Sequence, residues 1–94
     1  MPVPTERQLE RFIEKVSAWR DAGERIARLL DGKRNPEDAY RALRLRAKEL
    51  NAIREGRMTA VEWQEFGMVL NLITDLERIL PDEVYERLLQ ELRR

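Results

Sequence analysis

The sequence contains no cysteine and no histidine. The first absence removes disulfides, thiolate metal sites and cysteine nucleophiles together, and makes a reducing compartment, the cytoplasm, the expected location. The second removes the commonest metal ligand, the usual general base and any Ser–His or Cys–His pair. Also missing are a Gly-rich phosphate loop, a GxSxG turn and an EXXH spacing. No cofactor and no metal are expected, because the carboxylates do not gather at a metal-binding spacing. Long apolar runs are missing too. The longest uncharged stretch in the greasiest segment has nine residues, between Glu65 and Asp75, against the roughly 20 that span a bilayer. The stretch Glu6–Arg11, ERQLER, is charged where a signal peptide has its apolar region.

What is present is charge, 38% of the chain, balanced to a net of zero. The balance is uneven along the sequence: residues 1–57 hold 14 basic and 10 acidic side chains, residues 58–94 hold 4 and 8. Opposite halves therefore attract, within one fold or between two copies set antiparallel. Arginine outnumbers lysine 15 to 3, which favours bidentate pairing with carboxylates. With no net positive charge and no basic recognition helix, nucleic acid is not an expected partner.

The punctuation of the chain predicts four helices in one domain spanning residues 1–94, at about 5–31, 36–55, 59–80 and 82–93. Thr5 with Gln8 and Thr59 with Glu62 form capping boxes. Asn35 caps the second helix ahead of Pro36, where a missing N–H costs nothing. Gly32 and Gly56 are placed as stops, and Pro81 breaks the chain after Leu80. The apolar positions recur every three or four residues. In the first helix they are Leu9, Phe12, Ile13, Val16, Trp19, Gly23, Ile26, Ala27 and Leu30. In the second they are Ala39, Tyr40, Leu43, Ala47, Leu50 and Ile53, and in the fourth Val84, Tyr85, Leu88, Leu89 and Leu92. No strand pattern or internal repeat is present. The expected fold is all-α, an antiparallel helical bundle of three long helices with a short C-terminal fourth.

The third helix, VEWQEFGMVLNLITDLERIL from Val61 to Leu80, is apolar almost all round. Such a helix has to be covered on every face, by its own chain or by something else. Leu70 and Ile73 are expected among the most buried residues. At 1.5 Å per residue the fourth helix is only about 20 Å long, too short to reach Val61, Trp63, Phe66 and Met68. These residues form the expected association surface, with Trp63 and Phe66 as aromatic anchors.

A second candidate is an interior pocket with Trp19 and Arg20 near the level of Ala47 and Gly67, and with Asn71 and Thr74 one turn away. Ordinary packing, a large Trp against Ala and Gly, explains the same residues. Gly23 and Gly67 each cost about 1 kcal/mol of helix stability relative to Ala, so each is expected to admit a close neighbour. Arg20 lies at the edge of the apolar stripe and is expected to snorkel, its stem packed and its guanidinium in water or paired to Glu24, with anion binding as the alternative. Arg41, Arg44 and Lys48 suit phosphate contacts, but following Glu37 and Asp38 they also match dipole compensation. Glu65 and Asp75 share a side of the third helix, about 15 Å apart along its axis, too far for a paired-carboxylate hydrolase. Lys15 beside Phe12 and Trp19 is a lone Schiff-base candidate. None of these is part of a catalytic constellation.

The two Thr-x-x-Glu/Gln boxes, the Asn35-Pro36-Glu37-Asp38 entry, the Leu80-Pro81-Asp82-Glu83 break and the absence of Cys and His resemble computationally designed helical bundles. The devices are generic, and natural helical proteins use them as well. The scarcity of lysine and the mixture of Gly67, Met68, Asn71 and Thr74 in the third helix depart from an idealised core. They fit a natural protein, or a designed one with a deliberate site. The expected function is non-enzymatic: association through the apolar helix 59–80, by self-pairing or by taking a partner helix or an apolar small molecule. The surface residues are Trp19, Trp63, Phe66, Gly67, Met68 and Asn71. The alternative is an engineered binding or catalytic site in the interior near Trp19, Trp63, Gly67, Asn71 and Asp75.

Overall fold

A computed structural model describes residues 6–53 and 55–93, with the side chains of these from Ser17 onward except Glu55. The described chain is all-helical, with four helices packing against one another: α1 Glu6–Leu30, α2 Pro36–Asn51, α3 Ala60–Ile79 and α4 Asp82–Leu92. A short 3-10 turn, Glu55–Arg57, lies between α2 and α3. The expected cap at Thr5 and the side chain of Lys15 lie outside the described residues.

The caps act as their chemistry requires. Asn35 Oδ1 accepts the Asp38 N–H at 2.8 Å. Thr59 Oγ1 accepts the Glu62 N–H at 3.2 Å, and Glu62 Oε1 accepts the Thr59 N–H at 2.9 Å, so two orphan donors are satisfied reciprocally. These bonds to the Thr59 backbone and hydroxyl hold the Glu62 carboxyl below the usual range. Gly32 takes φ +77°, the left-handed conformation that terminates α1 without a Cβ penalty. One boundary differs from expectation. α2 ends at Asn51, not near residue 55, because the Ala52 N–H is shared among the carbonyls of Lys48, Glu49 and Leu50 and the chain leaves the helix there. Ile53 and Met58 then pack against the core from the connection.

The core is built from Ile26, Tyr40, Leu43, Leu50, Val69, Ile73, Leu80 and Leu88, which together draw on all four helices. α3 packs mainly on α1 and α2, while α4 rests on α2. Arg46 meets Glu65, whereas Tyr40, earlier in α2, meets Glu77, later in α3. On the other side, Arg25, Arg28 and Leu29 share a cleft with Arg46, Glu49 and Glu65, and Leu29, Gly32 and Lys33 adjoin Asp38, Arg41 and Ala42. Arg41 bonds Glu91 while Arg87 bonds Glu37, which ties α4 alongside the first half of α2.

The inner face of α1 corrects the sequence reading. Ala18, Ala22 and Ile26 are buried, at a spacing of four, whereas Trp19 is 59% exposed and Ala27 also lies outside. Small side chains at Ala18 and Ala22 suit a tightly packed face, into which a tryptophan would not fit without moving the helix. Leu70 is a second correction: it is 44% exposed, while Ile73, one helical turn away, is buried.

Tyr40 is fully buried, with its hydroxyl donating to Glu77 Oε1 at 3.0 Å and its ring set edge-on to Tyr85 at 6.3 Å. Burial, then the hydrogen bond to Glu77, push the phenol up to about 12. A group whose proton is held more tightly in the fold than in the unfolded chain adds stability while both states keep the proton. That contribution is complete below pH 10 and is lost as pH rises towards 12. Stability measured by urea unfolding is therefore expected to fall across this alkaline window, and Tyr40→Phe is expected to flatten the fall. An unchanged slope in that variant would assign the loss to other groups.

Candidate functional site

Two features stand out from the packing: a buried ion pair between α2 and α3, and an apolar groove between the same helices that α4 fills only in part. Glu65 is the one charged residue among the described ones that is buried, at 2% exposure. It lies on α3 between the α1 and α2 sides. Arg46 grips it with both faces of the fork: Nη2 donates to Oε2 at 2.7 Å and Nε to Oε2 at 3.0 Å, with Oε1 reached at 3.0 and 3.2 Å. Arg46 Nη1 donates to Glu49 Oε2 at 3.0 Å. The hydrogen bonds to Glu65 raise the guanidinium above its ordinary range against the opposing effect of burial. The pair is closed, with both carboxylate oxygens accepting bonds, so it offers no lone base for proton transfer.

The groove is lined by Leu45, Ala47, Phe66, Leu70 and Leu92, encloses about 540 Å³, and carries Arg44 and Lys48 along one rim. Leu92, at the end of α4, walls the groove together with Phe66 and Leu70 of α3 and Leu45 and Ala47 of α2. Trp63, Gly67 and Leu70 fall at helical spacing on the exposed side of α3, with Trp63 50% exposed. Nothing lies within 4 Å of where a Cβ on Gly67 would sit. The glycine opens a shallow notch between Trp63 and Leu70 that no other part of the described chain uses.

The residues singled out in the sequence divide between two sides of α3. Phe66 is half-buried against the core and lines the groove. Trp63, Gly67 and Asn71 are exposed. Val61 and Met68 are partly buried, and the Met68 methyl lies 3.8 Å from the Cβ position of Gly23, so their side is turned to α1. The open face is therefore Trp63–Phe66–Leu70, not Val61–Met68. Close approach at a glycine occurs at Gly23 and is missing at Gly67. Trp19, Gly67, Asn71, Thr74 and Asp75 all lie at the surface and Trp19 is on a different helix, so they do not converge on an interior cavity. Arg20 is exposed, its guanidinium in water and 3.8 Å from Asp21, without an ion pair to Glu24. Arg41 is taken up by Asp38 at 2.9 Å and Glu91 at 3.0 Å, which hold it as an intramolecular strut.

Sequence reading missed Leu45, Ala47 and Leu92 as groove walls and Arg46 as the partner of Glu65. Ala47 and Leu92 fall on the inner faces of their helices and Leu45 on neither apolar stripe, so the wall they share depends on where α4 stops. The ion pair spans 19 positions and leaves no local spacing to read. Among the described residues there is no cluster of three or more potential metal ligands, and no helix is long and apolar enough to cross a membrane. Compared with known proteins, the chain matches no family model, no curated protein and no solved structure.

Proposed function

We propose that this chain is an antiparallel bundle of three long helices and a short fourth, and that it works by association: the groove between α2 and α3 takes an amphipathic helix. The pairings of Arg46 with Glu65 and of Tyr40 with Glu77 support the antiparallel order of α2 and α3. The clefts joining Arg25 to Arg46 and Lys33 to Asp38 support the same relation between α1 and α2. One observation carries the functional reading: Trp63, Phe66 and Leu70 fall on one side of α3 at helical spacing, Trp63 and Leu70 are about half exposed, and Phe66 and Leu70 line a groove that the end of α4 walls at Leu92. A single exposed leucine is ordinary surface, but a strip with an aromatic at its end and a walled groove beside it has the character of an interface core. The notch at Gly67 fits the same reading, since a mid-helix glycine costs about 1 kcal/mol relative to Ala and no intramolecular neighbour uses the space.

The test is sedimentation equilibrium from micromolar to millimolar concentration on the parent chain and on Leu70→Glu. The parent is expected to associate. The variant is expected to remain helical and monomeric, because the substituted side chain is already half in water. A parent that stays monomeric throughout, or a Leu70→Glu variant that associates as tightly, would overturn the reading.

A further inference from the structure

We propose that α4 is a latch: it swings open about Pro81 as one unit while α1, α2 and α3 stay folded, and a two-rung ladder of ion pairs to α2 sets how often it opens. Opening takes the Tyr85 ring away from the edge-on contact with Tyr40 and the Leu92 wall away from the groove. It does not depend on what the groove takes.

The core closes almost entirely without α4. Ile26, Tyr40, Leu43, Leu50, Val69 and Ile73 all belong to α1, α2 and α3, and Leu80 lies at the joint. α4 adds one fully buried side chain, Leu88, with Val84 and Tyr85 packed partly beside it. α3 packs on both α1 and α2, whereas α4 rests on α2. The Tyr40 hydroxyl is held by Glu77 of α3, so that bond survives when α4 leaves. A segment with so few buried apolar contacts is released more readily than the whole fold unravels, and it opens as its own unit.

Once released, α4 has little to keep it helical. It has 11 residues, and isolated helices shorter than about 12–15 residues are marginal in water. Pro81 at its start makes no side-chain cap bond, and no basic residue in its last turn offsets the helix dipole. Release and melting therefore occur together.

The ladder is what remains to hold it. Arg41 Nε donates to Glu91 Oε2 at 3.0 Å and Nη2 to Oε1 at 3.2 Å, while Arg87 Nη2 donates to Glu37 Oε2 at 2.9 Å. Both rungs join residues 50 positions apart, so α2 and α4 run side by side in the same direction. The signs are crossed: acid then base along α2, base then acid along α4. A slip of one turn would set Arg41 against Arg87 or Glu37 against Glu91, so the ladder admits one register. Arg41 is steadied on its own helix by Asp38 at 2.9 Å. The four rung side chains are 34 to 57% exposed, which leaves both rungs open to screening by salt.

The test is amide hydrogen exchange followed by NMR on the full chain, in about 0.02 M and about 0.5 M NaCl at one pH. The amides of Leu88, Leu89 and Gln90 are expected to share one opening, at least about tenfold more populated than the opening that exposes Val69 and Ile73. The higher salt is expected to raise the α4 opening about threefold, and Glu91→Gln in low salt to raise it by a similar factor. Ile26→Val, in the core on α1, is expected to speed exchange at Val69 and Ile73 about threefold to tenfold. It should leave α4 unchanged, because the latched and open forms lose the same methyl. If α4 and α3 amides share one protection and both respond to Ile26→Val, α4 opens only with the whole fold and there is no latch. If α4 opens alone but neither salt nor Glu91→Gln changes how often, the ladder does not set its opening and the proposal fails.

Discussion

Replacing Arg46 with alanine is expected to destabilise the fold by about 3–5 kcal/mol, the cost of leaving a buried charge without its partner. Glu65 is 2% exposed and accepts bonds at both oxygens from that one guanidinium. Glu65→Ala breaks the same pair and is expected to cost less. The Arg46 side chain is about a quarter exposed, already holds Glu49, and can turn its fork to water. A double replacement by leucine is expected to fall near the parent or above it, because removing both ions removes both desolvation penalties. Urea unfolding of the four proteins gives the comparison. If Arg46→Ala lies within about 1 kcal/mol of the parent, the carboxylate is reaching solvent and the pair is not a buried one.

The second large effect separates two leucines on neighbouring helices. Leu50 is fully buried at the end of α2, among Ile26, Leu43 and Val69, and Leu50→Ala is expected to cost about 2–5 kcal/mol through lost transfer energy and the cavity left behind. Leu70→Ala is expected to cost under about 1 kcal/mol, since nearly half of the side chain already faces water. Thermal or denaturant unfolding of the two variants beside the parent reads both. Equal losses would mean that Leu70 belongs to the core and that the apolar strip on α3 is closed.

The helices were legible in the sequence because their ends are chemical events. Asn35, Thr59 and Gly32 each settle a specific orphan backbone group, and Pro81 cannot continue a helix, so boundaries follow from residue type alone. The inner face of α2 was legible for a related reason: Tyr40, Leu43 and Leu50 are large, and large apolar side chains mark a face clearly. The face of α1 was not. Alanine is weakly apolar, so Ala18 and Ala22 gave little signal, and the strong signal of Trp19 drew the stripe to the wrong side. α3 was harder still, because a helix apolar all round has no phase to read; which of its faces stays open depends on how far α4 reaches and on which neighbour it prefers. The groove was half visible, through Trp63 and Phe66, and its second wall on α2 was hidden until α4 was seen to end at Leu92.

Ala22 has no exposed surface, and the next residue, Gly23, faces the Met68 methyl of α3 at 3.8 Å. In mechanical terms it is a fulcrum. The helix is one stiff rod of 25 residues, and Glu6 lies about 24 Å along it from Ala22. A side chain only two methylenes larger at this point would wedge the rod away from α3 and swing its far end by several times the displacement at the wedge. The direction of the whole helix is thus set from a single buried position near its middle. Drift between alanine, serine and valine at one position would retune the angle between the two helices while leaving every surface residue unchanged.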